Sequence, residues 1–567
     1  MTDTASLDPV EPSRERVQAD SGSAEPAPAD PLHAQYAGPV RPATAVSSRA
    51  GLALTLLSDP TRIAELRNAP IIKEHARSNG TVRHVKTIYY DTPDGALFDV
   101  GVTLHVRQSG ERYTQALRIP EPDPENPDSF RDWEVTVPDM APELSSLRSL
   151  IPDALQPALP SQPLRPIFAT KLRRHTRTLV FPAAQIDVIF NEGLIEAGER
   201  ASPVSDIELR LRQGSPAVLY DLALRLNEAG SVRPSLFRVA ERGFSLAFNE
   251  PPRIQRFGRL EFPPDCSFDD ALAVMLRSSL HHLLANQAVA EDGRDPEGVH
   301  QLRIALRRLR AVLGLLRAVA PSATLEAFRA DARWTASNLG DARMWDVFIA
   351  DLLPDVAHGC VAIEGFPVLG KQAEAERAAG YLRTRRALGE VRCSRFQIAL
   401  SAWIAQRGWR TDAAREGLLT LTEPARDVAA RILEQRHRKT LKKGRHFRHL
   451  SPDARHEVRL AIKQLRYVVD LFIPLLGEPK SFKRYARRLH NLQDHLGAYN
   501  DIRSTTHLTD RLAAESMPNT AHQALGAVIG WQAHRLGCVE VDLRSAWRAY
   551  RHTALPWPAE ESADAPG

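Results

Sequence analysis

His300, Arg303, Arg307 and Arg310 recur 156 residues later as His456, Arg459, Lys463 and Arg466, in matching order and at spacings of 3, 4 and 3. On an α-helix these spacings align the four side chains of each copy along one stripe. Leu302, Ile304, Leu306 and Leu309 in the first copy, and Val458, Leu460, Ile462 and Leu465 in the second, form a face that can pack inward. Four like-signed groups on one stripe repel one another and destabilise an isolated helix. Arginine offers parallel N–H donors that suit phosphate oxygens, whereas lysine acts as a point charge. A histidine beside a phosphate gains charge and tightens binding as pH falls. Two such stripes at corresponding positions of a duplicated unit point to a site for an extended polyanion. Neither stripe carries an aromatic residue on which bases could stack, which disfavours single-stranded nucleic acid.

The elements that must hold these stripes follow from periodicity. From Ser267 to about residue 552, apolar residues recur at three- and four-residue spacing, which predicts helices over 269–291, 297–319, 324–339, 371–388, 394–406, 424–442, 455–476, 480–496 and 519–550. Each basic helix is followed by a Leu-Gly pair with an Asp shortly after it: Leu339-Gly340 with Asp346, and Leu496-Gly497 with Asp501. This predicts two similar antiparallel bundles related by a pseudo-twofold, with repeats at about 267–400 and 424–552. Residues 433–495 carry sixteen Lys and Arg, six acids and six His, so the overall net charge of +5 understates a local excess. Lys442, Lys443, Arg445, Arg487 and Arg488 belong to that excess and extend the predicted basic surface.

Residues 49–250 show a different period. Val102–Arg107, Trp133–Val137 and Ile207–Arg212 alternate apolar and polar residues, which predicts strands with one polar face each. That face is either turned to water on an open antiparallel sheet or turned inward by closure into a barrel. Helices are predicted at 60–68 and 216–229, and Pro-rich loops at 120–127 and 152–166. A Pro-rich linker at 251–266 separates the two regions. Residues 1–48 carry seven acids and three Arg among Pro, Ala and Ser, and read with 553–567 as disordered tails.

Composition narrows the classes. At 567 residues the chain exceeds a single core. Four cysteines lie scattered without metal-ligand spacing and read as buried thiols of a reducing cytosol. No apolar run approaches ~18 residues, so no membrane span is expected, and the N-terminus lacks a secretory signal. Among the nineteen His, His437, His446, His449 and His456 sit among cations, which disfavours a metal site. No nucleophile elbow or Gly-rich phosphate loop is present. The composition is that of a cytoplasmic protein.

The duplicated basic motif with its Leu-Gly and Asp resembles the CHAD family, the conserved histidine α-helical domain, over roughly 267–552. The segment Arg436–Arg445 resembles what precedes the second repeat in that family. The resemblance implies a pair of four-helix bundles whose basic surface binds inorganic polyphosphate, with possible recruitment to polyphosphate granules and no cofactor required. Met344 departs from the family, standing where the first repeat usually has an Asp.

The N-terminal region resembles a CYTH domain, the triphosphate tunnel fold, over about 50–248. Tyr89-Tyr90-Asp91-Thr92-Pro93 followed by Leu97, Gly101, Val102, Leu104, Val106 and Arg107 carries the match, and Ile207–Leu209 and Ala240–Phe244 match later strands. The family's opening Glu-x-Glu-x-Lys, whose acids help hold a metal, is here Gly51-Leu52-Ala53-Leu54-Thr55. The later Glu-x-Glu is Glu208-Leu209-Arg210, and Val239 stands for a phosphate-contacting Lys. Phosphoryl chemistry assisted by Mg²⁺ or Mn²⁺ needs carboxylates that fix the ion. Only Glu134, Asp187 and Glu208 remain for that, with Arg107, Arg118 and Arg173 as possible phosphate contacts in the tunnel.

The reading is therefore an α+β multidomain protein, with an antiparallel β-barrel followed by an all-α domain. Non-catalytic polyphosphate binding comes first. A metal-dependent triphosphatase of the CYTH type and a nucleic-acid binder are the alternatives.

Overall fold

A computed structural model describes residues 52–120, 130–143, 145, 163–477 and 480–557. The predicted tail at 1–48, Gly51, and most of the loops at 120–127 and 152–166 lie outside these residues, as does the tail beyond residue 557.

The first region runs β1 (Ala53–Leu57), α1 (Ile63–Arg67), α2 (Pro70–His75), β2 (Thr81–Asp91), α3 (Ala96–Asp99), β3 (Thr103–Ser109), β4 (Arg112–Pro120), β5 (Phe130–Val137), β6 (Arg165–Phe181), β7 (Ala184–Ala197), β8 (Arg200–Gly214), α4 (Pro216–Gly230), β9 (Arg233–Pro234) and α5 (Val239–Phe248). The strands form one antiparallel sheet in the order β5-β4-β3-β2-β6-β7-β8-β1-β9. The three alternating segments lie in β3, β5 and β8. Residues 240–244, which the CYTH resemblance places on a strand, are instead helical in α5. Phe244 of α5 is buried against Phe98 and Phe168, at ring distances of 4.1 and 5.1 Å, so one helical stripe rather than a strand face meets the sheet.

One sheet face is apolar. Leu56, Val188, Phe190, Ile207 and Leu209 pack with Ile63, Ile72, Leu219 and Leu222 from α1, α2 and α4. The pairing register puts Arg107, Arg118, Glu134, Arg174, Asp187, Asp206, Glu208 and Arg210 on the other face. Thr87, Thr103, Thr170, Asp187, Asn191 and Asp206 of that face are each less than one-tenth exposed. A flat sheet with its polar face in water would leave them open, so the sheet curls around this face.

The helical region runs α6 (Phe268–Asp292), α7 (Glu297–Val319), α8 (Ala323–Asn338), α9 (Gly340–Val347), a π-helical turn (Phe348–Leu352), α10 (Leu353–Gly359), α11 (Phe366–Gly389), α12 (Val391–Ala405), α13 (Trp409–Asp412), α14 (Arg415–Thr422), α15 (Ala425–Lys443), α16 (Pro452–Leu476), α17 (Lys480–Ala513) and α18 (Asn519–Arg551). Ser267 opens α6 with a reciprocal capping box to Asp270, and Gly293 ends it at φ 77°, a conformation open to glycine. Ser451 caps α16 by accepting from the Ala454 amide at 3.2 Å. Leu302, Leu306 and Leu309 of α7 share one core with Val458, Ile462 and Leu465 of α16, while Ile304 and Leu460 are only half-buried. The first Leu-Gly pair breaks the chain between α8 and α9; the second lies inside the unbroken α17.

The two regions are packed together. Ile398 of α12 is buried in the apolar core of the sheet region. Asn227 of α4 donates to the Ser394 hydroxyl at 2.9 Å, and Arg233 pairs with Glu291 at 2.7 Å. The predicted linker has no helix or strand, yet Leu260 is buried in the helical core and Phe257 packs against it. Cys266 and Cys393 are buried, whereas Cys538 is exposed, contrary to the reading of all four as interior thiols. No described helix is long and apolar enough to cross a membrane.

Candidate anion-binding site

The two basic stripes are not two separate faces: α7 packs against α16, and their cations meet. Arg307 donates from Nη1 to the Tyr467 hydroxyl at 3.4 Å, joining one copy of the motif to the other. Lys463 is half-buried between them. Burial, followed by the charges of Arg307, Arg459, Arg303 and Arg310, pushes its amine down to about 8. Arg303 donates to the Ala336 carbonyl near the C-terminus of α8 at 3.2 Å, a position where the helix dipole favours a cation. Burial and the neighbouring Arg307 and Arg343 push its guanidinium down to about 10. Arg310 is lowered by burial, Arg333 and Arg329. His300 is lowered by burial and by Arg343, so its ring is held toward the neutral form.

His300, Arg303, Arg307, Arg310, Arg459 and Lys463 thus stand together. The remaining candidates lie outside this cluster. Arg466 reaches Asp470 and Asp494, each at 3.7 Å. His456 is exposed next to Glu457, which pairs with Lys443 at 2.5 Å. Arg488 is tied to the end of α18 through the Ala549 carbonyl and the Thr553 hydroxyl, both at 3.0 Å. Lys442, Arg445 and Arg487 are exposed on α15, the turn after it and α17.

The sequence-based choice missed Arg343 of α9 and Arg329 and Arg333 of α8, which the fold brings to the cluster. Arg343 sits three residues after the first Leu-Gly pair, and a basic residue at that spacing is the signal for it. Asp346 itself is buried and accepts from Arg377 Nε at 2.7 Å and the Tyr381 hydroxyl at 3.1 Å. It holds α9 to α11.

On the enclosed sheet face every candidate acid has a cationic partner. Glu134 pairs with Arg107 at 3.4 Å, Glu208 with Arg210 at 2.7 Å, and Asp187 with Arg212 at 2.5 Å. Asp187 also accepts from Thr178 at 2.7 Å. Arg118 makes two bonds to Asp132, at 2.8 and 2.9 Å. Arg173, expected in the tunnel, is exposed on the opposite face; its neighbour Arg174 points inward, lowered by burial, and donates to Asn191 at 2.9 Å. Among the described residues no three His, Cys, Asp or Glu are grouped to hold a metal ion. At β1 the positions facing Arg210 and Glu208 are Ala53 and Thr55. These residues do not fit a divalent ion, because guanidinium groups occupy the carboxylates that would bind it.

Comparison with known proteins bears on both regions. Residues 274–510 match the CHAD domain family. The inorganic triphosphatase of Haemophilus influenzae is 31% identical over 159 residues, which are 28% of this chain and 44% of the relative. This chain therefore spans less than half the length of that curated relative. The CHAD domain from the plant Ricinus communis superposes with a TM-score of 0.46 at 27% identity, covering 53% of this chain and 97% of that one. A Hippeastrum protein with a dominant triphosphatase activity superposes with a TM-score of 0.25 at 12% identity, covering 35% and 95%. The curated relative is named as an enzyme, so the comparisons speak for the triphosphatase alternative and not for the binding reading placed first from sequence. The chain combines an antiparallel sheet region with a helical region, and residues 274–510 of the latter match the CHAD domain family.

Proposed function

We propose that this chain binds inorganic polyphosphate at the composite site between α7 and α16. The observation that carries this reading is the convergence of Arg303, Arg307, Arg310, Arg459 and Lys463, whose mutual repulsion costs stability until an anion neutralises it. A polyphosphate chain supplies closely spaced negative charges, and guanidinium groups bind phosphate with paired donors. The site needs no cofactor in this reading, and association with polyphosphate granules follows from it. Nucleic acid is the weaker ligand: the two basic stripes themselves carry no Phe, Trp or Tyr, and Tyr467 beside them is engaged by Arg307.

The second reading is hydrolysis of inorganic triphosphate on the enclosed sheet face, favoured by the name of the Haemophilus influenzae relative. The pairing of Glu134, Asp187 and Glu208 with arginines weighs against it in this chain.

One experiment separates the two. The protein is titrated with long-chain polyphosphate at several salt concentrations, and phosphate release from tripolyphosphate is assayed with Mg²⁺ or Mn²⁺. Binding that weakens steeply with salt, without release, supports the binding reading. Metal-dependent release abolished by Glu208→Gln would replace it with the catalytic one.

A further inference from the structure

Lys463 differs from every other lysine discussed above in its surroundings. It lies half-buried on α16, with Arg459 one turn before it on the same helix and Arg303, Arg307 and Arg310 facing it from α7. The charges that act on it most are all cationic. Tyr467, one turn further on, is engaged by Arg307. A lysine crowded by cations and partly removed from water gives up its proton readily, and the free amine is a nucleophile. The same guanidinium groups that disfavour its proton can bind a phosphoryl group beside it.

We propose that Lys463 is a site of covalent acylation by small acyl phosphates, which the surrounding arginines hold by the phosphate. The lone pair of Nζ attacks the carbonyl carbon. The bond from that carbon to the phosphate oxygen breaks, and the phosphate leaves with the electron pair. The proton lost from nitrogen ends on the phosphate, leaving an amide on Lys463 and hydrogen phosphate in solution. No oxidant, reductant or metal is needed. The amide carries no charge, so acylation removes one cation from the centre of the site and lowers its affinity for polyanions. This rests on the reading of the cluster as a phosphate-binding site.

The test uses the full chain, acetyl phosphate at pH 8, and peptide mass spectrometry of Lys463 beside the exposed Lys73 and Lys371. With its amine pushed down to about 8, Lys463 is roughly half unprotonated at that pH, whereas an ordinary lysine is under about 1% unprotonated. Part of this advantage is offset by lower basicity, so acetylation about tenfold faster than at the two reference lysines is expected. Long-chain polyphosphate should suppress labelling at Lys463 alone. The neutral reagent N-hydroxysuccinimidyl acetate also needs the free amine but has no phosphate to be held, so it should favour Lys463 less strongly than acetyl phosphate does. Equal labelling by acetyl phosphate, or equal preference for Lys463 with the neutral reagent, overturns the proposal. Selective labelling that polyphosphate does not suppress leaves acylation standing and counts against polyphosphate as the ligand. Polyphosphate binding without selective labelling overturns acylation alone.

Discussion

Arg307 on α7 donates to the Tyr467 hydroxyl on α16 at 3.4 Å, so the two copies of the basic motif touch through their functional faces. The duplication therefore builds one site to which both copies supply cations, Arg303, Arg307 and Arg310 from the first and Arg459 and Lys463 from the second. Repulsion between the halves is tolerated because Leu302, Leu306, Val458 and Ile462 beneath them are fully buried in a shared core.

Replacing Arg303 and Arg459 together by alanine removes one cation from each half. Polyphosphate affinity should fall by about two orders of magnitude if each contact contributes roughly 1.5 kcal/mol. The slope of log affinity against log salt should become shallower by roughly one and a half units, about 0.7–0.9 for each cation removed. The melting temperature should not fall, since the change relieves repulsion. Titration by fluorescence anisotropy at several salt concentrations, with thermal denaturation alongside, checks all three.

The amine of Lys463 makes binding depend on pH. In the free protein it loses its proton near pH 8, and a bound polyanion raises that point. Binding therefore takes up a proton, and affinity should fall as pH rises through about 8. Lys463→Arg keeps the charge and should flatten this part of the profile. For folding the sign is opposite to that of a stabilising pair. Between about 8 and the ordinary lysine value of 10.5 the unfolded chain holds more protons, so this group's contribution to stability improves as pH rises. Calorimetry in two buffers of different ionisation enthalpy measures the uptake.

Asp346 should behave as a structural residue. Asp346→Ala leaves Arg377 and the Tyr381 hydroxyl without their shared buried acceptor, and should destabilise the helical region by about 3–5 kcal/mol. Chemical denaturation followed by circular dichroism reports the loss. A change near zero would show that α9 is held to α11 by packing alone.

Phosphate release from tripolyphosphate with Mg²⁺ or Mn²⁺ should stay at background, because Glu134, Asp187 and Glu208 are each held by an arginine. Release above background that is lost in Glu134→Gln would establish the sheet face as catalytic.

Much of this molecule was legible before folding was known. The period of 2 in Val102–Arg107 and the period of 3.6 in the basic helices are local signals, and both elements form where those signals stand. The choice of Arg173 over Arg174 shows the limit. In a strand, neighbouring residues face opposite ways, and only the pairing of Arg174 with Arg83 and Asn191 reveals which one points inward. Ala240–Phe244 failed for a related reason: a short segment with Phe244 buried fits either period until α5 is seen lying on the sheet. Arg329, Arg333 and Arg343 reach the site through the packing of α8 and α9 on α7, which no spacing within one segment encodes. The same is true of Arg488, whose sequence position among basic residues gives no hint that it serves the end of α18.

Ile398 closes the apolar core of a sheet whose last strand ends at Pro234. Ribosomal synthesis delivers the strands first and this side chain much later, after the linker and the first basic helix have emerged. Until then Leu219, Leu222 and Ile207 lack one wall of their pocket. The nascent sheet waits on the helices for its final consolidation, and a truncation before α12 strands it with an apolar opening that favours aggregation.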